Sequence, residues 1–123
     1  MKTSSAKSKG RKLQQNVRDV ILEQYSEYLE PDDVRSTGMG QSGVDVQLSP
    51  LAKRTFPFSI ECKNQQSISI WACLEQTFTN LMDNTFGLLV FKRNRSETYV
   101  CLKLDDFMEI TDHTDFTKIF PKK

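Results

Sequence analysis

The chain has 123 residues, enough for one domain with one hydrophobic core, which leaves no room for a second catalytic domain. Hydrophobic residues make up 37% of it, so we expect a folded chain rather than a disordered one. The net charge of +1 excludes a uniformly basic protein, but the two ends differ. Residues 1–18 carry six Lys or Arg and no acid, and residues 104–117 carry five acids and no Lys or Arg. A basic front segment suits a polyanionic partner, and a solubilising tail is the alternative.

The three cysteines, Cys62, Cys73 and Cys101, are odd in number and widely spaced. This pattern argues against a disulfide framework or a zinc site, and a reducing compartment fits it best. No apolar run reaches the roughly 18 residues that a membrane span needs. The first residues lack the apolar region of a secretory signal, so we expect a cytoplasmic protein without membrane contact.

We expect residues 1–9 to form a flexible basic arm and residues 10–123 to form a single domain. Apolar residues at helical spacing, from Leu13 to Tyr28, predict a helix over about 11–29 that Pro31 ends. A short strand over 34–37 is a further possibility, and a glycine-rich stretch follows it.

Alternating apolar and polar residues predict a strand over about 43–48 and a second strand over about 56–63. A helix is predicted over 69–83, and the apolar run 86–91 indicates a buried central strand. The segment 97–104 is predicted to form a hairpin with that strand, and a short helix follows near residue 104. This order predicts an α/β domain whose mixed sheet is flanked by helices.

The candidate catalytic residues are Asp45, Glu61 and Lys63. Glu61 and Lys63 project from one face of their strand because the period of a strand is two residues. If the two strands pair, Asp45 reaches the same face. Two carboxylates suit a hard divalent cation, which activates water for phosphodiester hydrolysis, and the carbonyl of Cys62 is placed to complete the coordination. Lys63 would orient or deprotonate the water, or steady the phosphate.

The alternative is an incidental surface Glu-x-Lys pair, since that tripeptide is very common. Its context, with Gly-Val-Asp on one strand and a basic segment nearby, favours the functional interpretation.

In this arrangement the chain resembles the PD-(D/E)xK nuclease superfamily, with Asp45 and Glu61-Cys62-Lys63 as the two core motifs. More narrowly, it is similar to archaeal-type Holliday-junction resolvases and their bacteriophage relatives. The similar segments cover roughly residues 8–100 in the family's order and read KGRKLQQNVRDVIL, DVRSTGMGQSGVDVQLSP, FSIECKN, IWACLEQ and LLVFKRNRS.

The resemblance implies a restriction-endonuclease-like fold and a homodimeric enzyme that resolves four-way DNA junctions by paired nicking in recombination and repair. It implies Mg²⁺ as cofactor, with Mn²⁺ able to substitute, and the host cytoplasm if the chain is phage-encoded. Two alternatives stay open. One is another nicking or restriction-like endonuclease of this superfamily, and the other is a non-catalytic DNA-binding module.

One position departs from the family pattern. Family members carry a glutamate on the first helix, four residues after a Lys-Gly pair, whereas Lys9-Gly10 here leads to Gln14. We expect Gln14 to face the active site as a neutral ligand, and an amide that caps the edge of the core is the alternative.

Further polar residues are candidates for DNA contacts or a minor catalytic role, and solvated surface positions are the alternative for each. The DNA-binding candidates are Lys9, Arg11, Lys12, Arg35, Ser36, Ser42, Arg93 and Arg95. Glu75 and Gln76 on the second predicted helix are candidates of lower weight for a position near the metal.

Overall fold

The structure, a computed structural model, describes residues 3–37 and 43–120. Its helices are α1 (Thr3–Gln24), α2 (Pro50–Thr55), α3 (Ile70–Thr79) and α4 (Leu104–Asp112). Its strands are β1 (Val34–Ser36), β2 (Val46–Leu48), β3 (Phe58–Asn64), β4 (Phe86–Lys92) and β5 (Tyr99–Cys101). Short 3-10 turns lie at Pro31–Asp33 and Phe116–Lys118. None of the helices in these two described ranges is long and apolar enough to cross a bilayer.

The five strands form one mixed sheet in the order β1-β2-β3-β4-β5. The pairs β1–β2, β2–β3 and β4–β5 are antiparallel, and the central pair β3–β4 is parallel. The parallel pair needs a crossover, which α3 supplies. The α/β class, the mixed sheet and the predicted hairpin are therefore confirmed.

The two faces of the sheet are covered by different helices. Leu13 and Ile21 of α1 join Ile60 and Cys62 of β3 in the main hydrophobic core. The side chains of β3 that alternate with Ile60 and Cys62 face α3. On this side, Ser59 Oγ accepts a hydrogen bond from the N–H of Met82, just after α3, at 2.8 Å. Because both faces are covered, β3 and β4 are mostly buried along their length, as is usual for parallel strands.

The first helix differs from its prediction at both ends. It begins at Thr3 rather than near residue 11, so most of the predicted arm is helical, although Gly10 disfavours helix by about 1 kcal/mol. Tertiary contacts offset that cost: Lys9 Nζ donates to Asn94 Oδ1 at 2.6 Å, and the carbonyl of Lys9 accepts from Asn64 Nδ2 at 3.4 Å. The helix ends at Gln24 rather than at 29, and Leu29 then turns back into the core.

Helix α2 was not predicted, and it lies between the two predicted strands 43–48 and 56–63. Ser49 caps this helix by accepting a hydrogen bond from the N–H of Ala52 at 3.1 Å, and Pro50 occupies the first helical position. Ser49 also donates to Asp33 Oδ1 at 2.7 Å. The cap thereby ties the end of β2 to the segment before β1, which helps to hold β2 beside β1.

Candidate active site

Strand β3 carries the centre of the candidate site on its α3 face. Glu61 is 3% exposed, and Lys63, two residues on, is half-buried on the same face. The parallel partners of these residues on β4 are Leu89 and Phe91. A carboxylate buried beside apolar residues is costly unless a cation or a hydrogen-bond donor compensates it.

Asp45 is bound to the residues on either side of Glu61. Its backbone N–H donates to the carbonyl of Ile60 at 2.9 Å, and its Oδ2 atom accepts from the N–H of Cys62 at 2.7 Å. On its other side, the carbonyl of Asp45 accepts from the N–H of Thr37 at 2.8 Å. Asp45 is thus fixed between β1 and β3, with its carboxylate next to the backbone of the Glu61 segment.

The pKa values of both acids are raised, chiefly by burial. Burial raises the pKa of Glu61 from 4.5 to about 7, the charge of Asp45 adds to the rise, and Lys63 and Asn80 oppose it. Burial also raises the pKa of Asp45, while the N–H of Cys62 and the charge of Lys63 lower it. Two carboxylates and one ammonium therefore interact at one place, and the pair is short of positive charge when both acids are ionised.

The donor set fits a hard divalent cation. Glu61 Oε1 is buried without a hydrogen-bond partner in the structure, and carboxylate oxygens are the ligands that Mg²⁺ prefers. The N–H of Cys62 points towards Asp45, and in an extended strand the carbonyl of a residue points to the same side as its N–H. Within residues 3–37 and 43–120, no group of three or more His, Cys, Asp or Glu side chains could hold a metal. An ion here would depend on Asp45, Glu61 and the carbonyl of Cys62.

The thiol of Cys62 is unsuited to a role as ligand or nucleophile. It is buried on the core face, and burial, followed by the charges of Asp45 and Glu61, raises its pKa above the ordinary range. The thiol therefore stays protonated, which leaves the backbone carbonyl as the group of this residue that could bind a metal.

Gln14 is buried on α1, the helix that covers the Ile60 and Cys62 face of the sheet. It is 5% exposed, and its Oε1 atom has no hydrogen-bond partner in the structure. However, α1 packs on the face of the sheet that carries Ile60 and Cys62, opposite to the face of Glu61. The structure does not bring Gln14 onto the face of the acids, and its catalytic role stays a prediction.

Asn80, at the end of α3, is the polar residue of that helix beside Glu61. Its Nδ2 atom donates to the carbonyl of Gly43 at 3.2 Å, which joins α3 to the segment that leads into Asp45. Asn80 was not among the residues predicted from the sequence, which were Glu75 and Gln76; the side chains of these two are exposed. The buried stripe of α3 is Cys73 and Thr77, so Glu75 and Gln76 point away from the sheet. An amide in the last turn of the predicted helix was the one available signal.

The candidate DNA-binding residues fall into two groups. The hydrogen bond from Lys9 to Asn94 joins α1 to the β4–β5 turn, so Lys9, Arg93 and Arg95 lie together near the carboxyl end of β3. Arg11 and Lys12 are exposed one turn further along α1. Arg35 is exposed on the edge strand β1, 3.4 Å from Asp32, and Ser36 precedes the Thr37 that bonds to Asp45. Ser42 lies outside the described residues.

Comparison of the chain with protein-family models, curated proteins and solved structures found no match in any of the three. The functional interpretation therefore depends on the geometry of the site and on the sequence resemblance.

Proposed function

We propose that this protein is a Mg²⁺-dependent DNA endonuclease of restriction-endonuclease-like fold that nicks four-way junctions. The observation that carries the proposal is the 2.7 Å hydrogen bond from the N–H of Cys62 to Asp45 Oδ2, which brings the second carboxylate to Glu61. A bound cation would supply the partner that the buried Oε1 atom of Glu61 lacks. Mn²⁺ should substitute for Mg²⁺ because it accepts the same oxygen ligands.

The residues of the site would share the work of phosphodiester hydrolysis. Asp45, Glu61 and the carbonyl of Cys62 would hold the ion, which supplies an activated water and a sink for the developing negative charge. The ammonium of Lys63 would orient the attacking water or neutralise charge on the scissile phosphate. Lys9, Arg93 and Arg95 would bind phosphates further along the strand.

A cleavage assay tests this proposal directly. We expect the protein to nick a synthetic four-way junction in Mg²⁺, to lose activity in chelator, and to cleave linear and nicked duplexes of the same sequence far more slowly. Equal cleavage of junction and duplex would favour a nicking or restriction-like enzyme instead. Tight binding without cleavage of any DNA in Mg²⁺ or Mn²⁺ would favour a non-catalytic binding module. The neutral Gln14, at the position of the family's glutamate, is the reason for considering this alternative.

We propose a homodimer, because a four-way junction has approximate two-fold symmetry and paired nicks need two like sites. The C-terminal elements offer a surface for it. Helix α4 contains no buried residue, although Leu104, Phe107 and Met108 form an apolar stripe that is 72%, 49% and 56% exposed. Trp71 is 83% exposed and lines one cavity with Leu102 and Lys103, next to the start of α4.

We call this surface the C-terminal apolar face; its members are Trp71, Leu104, Phe107, Met108, Phe116, Ile119 and Phe120. Each of these large side chains is at least 49% exposed, and exposed apolar side chains concentrated in one part of a chain commonly mark a protein–protein interface. The segment 104–117 carries five acids and no Lys or Arg, which disfavours DNA as the occupant and makes a second copy the better fit.

Replacing Phe107 with aspartate is expected to separate the dimer. A charge placed in a buried apolar contact should raise the dissociation constant by about 100-fold or more, as truncation of a central interface residue does. Sedimentation velocity at micromolar concentration measures the change, and Val20→Asp, at a 59% exposed position on α1, is the matched control. A Phe107→Asp protein that remains dimeric would exclude this face as the interface.

A further inference from the structure

A cavity of about 340 Å³ opens beside the candidate active site, and no role has yet been assigned to it. Phe91 lies on its wall and is the parallel neighbour of Lys63 on the adjacent strand. Neighbouring strands are about 4.8 Å apart, and paired residues project to the same face. The cavity therefore lies on the same side of the sheet as Glu61 and Lys63, one strand away.

The lining of the cavity combines two aromatic rings with two cationic side chains. Phe91 and Tyr99 pair across β4 and β5 with ring centroids 6.2 Å apart, and Tyr99 is 57% exposed. Lys92 and Arg93 also line the cavity, and among residues 3–37 and 43–120 no acidic side chain does. An exposed ring beside cations is the combination that binds nucleotides, because the ring stacks on a base and the cations bind its phosphate.

The loops that form the cavity are fixed to each other. Gln66 Oε1 accepts from the N–H of Asn94 at 3.2 Å, which joins the β3–α3 loop to the β4–β5 turn. The backbone N–H of Gln65 donates to the carbonyl of Lys92, also at 3.2 Å. Within the turn, the N–H of Arg93 donates to Ser96 Oγ at 3.0 Å. These bonds hold the aromatic wall and the cations in place before any ligand arrives, which lowers the entropy cost of binding.

We infer that this cavity, the Tyr99 cavity, binds an unpaired or unstacked DNA base through its ring face, next to the phosphate that would be hydrolysed at the acidic pair. The inference deepens the proposed function, since it rests on the site of Asp45 and Glu61 acting on DNA. It gives a reason for preferring branched over continuous duplex: bases inside a regular duplex stack on their neighbours and do not present a free face, whereas a branch point disrupts that stacking.

The test measures binding in magnesium-free buffer by fluorescence anisotropy, with a labelled oligothymidylate and a strand of equal length made of abasic residues. Tyr99→Ala removes the ring, Tyr99→Phe keeps it, and Tyr28→Ala removes a ring of similar exposure, 65%, at a distant position. We expect the unaltered protein to bind oligothymidylate about tenfold tighter than the abasic strand, because one base–aromatic stack has about that effect.

Tyr99→Ala is expected to abolish this discrimination by losing affinity for oligothymidylate alone, and both Tyr99→Phe and Tyr28→Ala are expected to keep it. Three results would each overturn the inference. Tyr99→Ala could weaken the binding of both strands equally, it could leave the preference for oligothymidylate unchanged, or loss of the ring could dissociate a dimer. The outcome of this binding test is independent of the outcome of the cleavage assay. Junction cleavage without a Tyr99 effect removes only the base site, whereas a Tyr99 effect without cleavage of any DNA removes only the nuclease.

Discussion

Replacement of Asp45 with asparagine is expected to lower the rate of Mg²⁺-dependent junction cleavage about a thousandfold or more, while junction binding stays within a few-fold of the unaltered protein. The amide retains an oxygen that can accept the hydrogen bond from the N–H of Cys62, so the local structure should persist. It loses the charge that a divalent ion needs from its ligand. Loss of about a thousandfold in rate corresponds to roughly 4 kcal/mol of transition-state free energy, a reasonable share for a metal ligand.

Single-turnover cleavage of a labelled four-way junction measures the rate, and anisotropy in magnesium-free buffer measures binding. Asp83→Asn is the matched control, because it makes the same chemical change at an exposed position that supplies no ligand to the candidate site. We expect this control to cleave at the unaltered rate. If the Asp45→Asn protein cleaved junctions at full rate, the assignment of the acidic pair would be wrong, whatever else the protein does to DNA.

The metal-free protein is expected to lose stability as the pH rises from about 4.5 to about 7, and Glu61 is the cause. The pKa of its carboxyl is 4.5 as an ordinary side chain and about 7 in the folded protein. Between these values the folded state holds a proton that the unfolded state has released, so the free energy of unfolding falls with increasing pH. The contribution is fully present below about 4.5 and is lost above about 7, a change on the order of 3 kcal/mol.

Replacing Glu61 with glutamine removes that titration, so the variant is expected to be the more stable protein at alkaline pH. Its melting temperature without metal should exceed that of the unaltered protein by about 10 °C at pH 8, and the difference should vanish near pH 4. Millimolar Mg²⁺ should raise the melting temperature of the unaltered protein more than that of the variant, because a bound ion compensates the buried charge.

Thermal unfolding followed by circular dichroism, over a series of pH values with and without Mg²⁺, checks both expectations. Glu23→Gln, at an exposed position on α1, is the control and should follow the unaltered protein throughout. A Glu61→Gln protein that is less stable than the unaltered one at pH 8 would contradict a buried, uncompensated carboxylate at this position. Such a result would weaken the metal site itself, because the site depends on the same unpartnered oxygen.

Much of the fold could be predicted from local patterns in the sequence. The period of two along 56–63 predicted that Glu61 and Lys63 share a face, and the apolar run 86–91 predicted the buried strand beside them. These predictions depend on the regular geometry of a strand, which the residue order reports directly. The helix ends were less accurate, because they depend on distant contacts such as the one between Lys9 and Asn94.

The tertiary structure decided which polar residues meet. Asn80 lies beside Glu61 because α3 crosses from β3 to β4 and ends there, whereas Glu75 and Gln76 are turned outwards by the same packing. Gln14 is buried, as an amide at the edge of an apolar stripe should be, but α1 covers the other face of the sheet. A periodic pattern indicates that a residue is buried, and it does not indicate which neighbour buries it.

The sequence by itself determined the types of residue available for chemistry, their spacing along each strand and the α/β order of the elements. Only the tertiary structure decided that Asp45 binds the backbone next to Glu61, that burial raises the pKa of Glu61 to about 7, and that Tyr99 and the C-terminal apolar face stay exposed. The physical reason is that spacing is a property of the local backbone. Burial, charge coupling and exposure depend instead on segments that are distant in the chain and meet only when it folds.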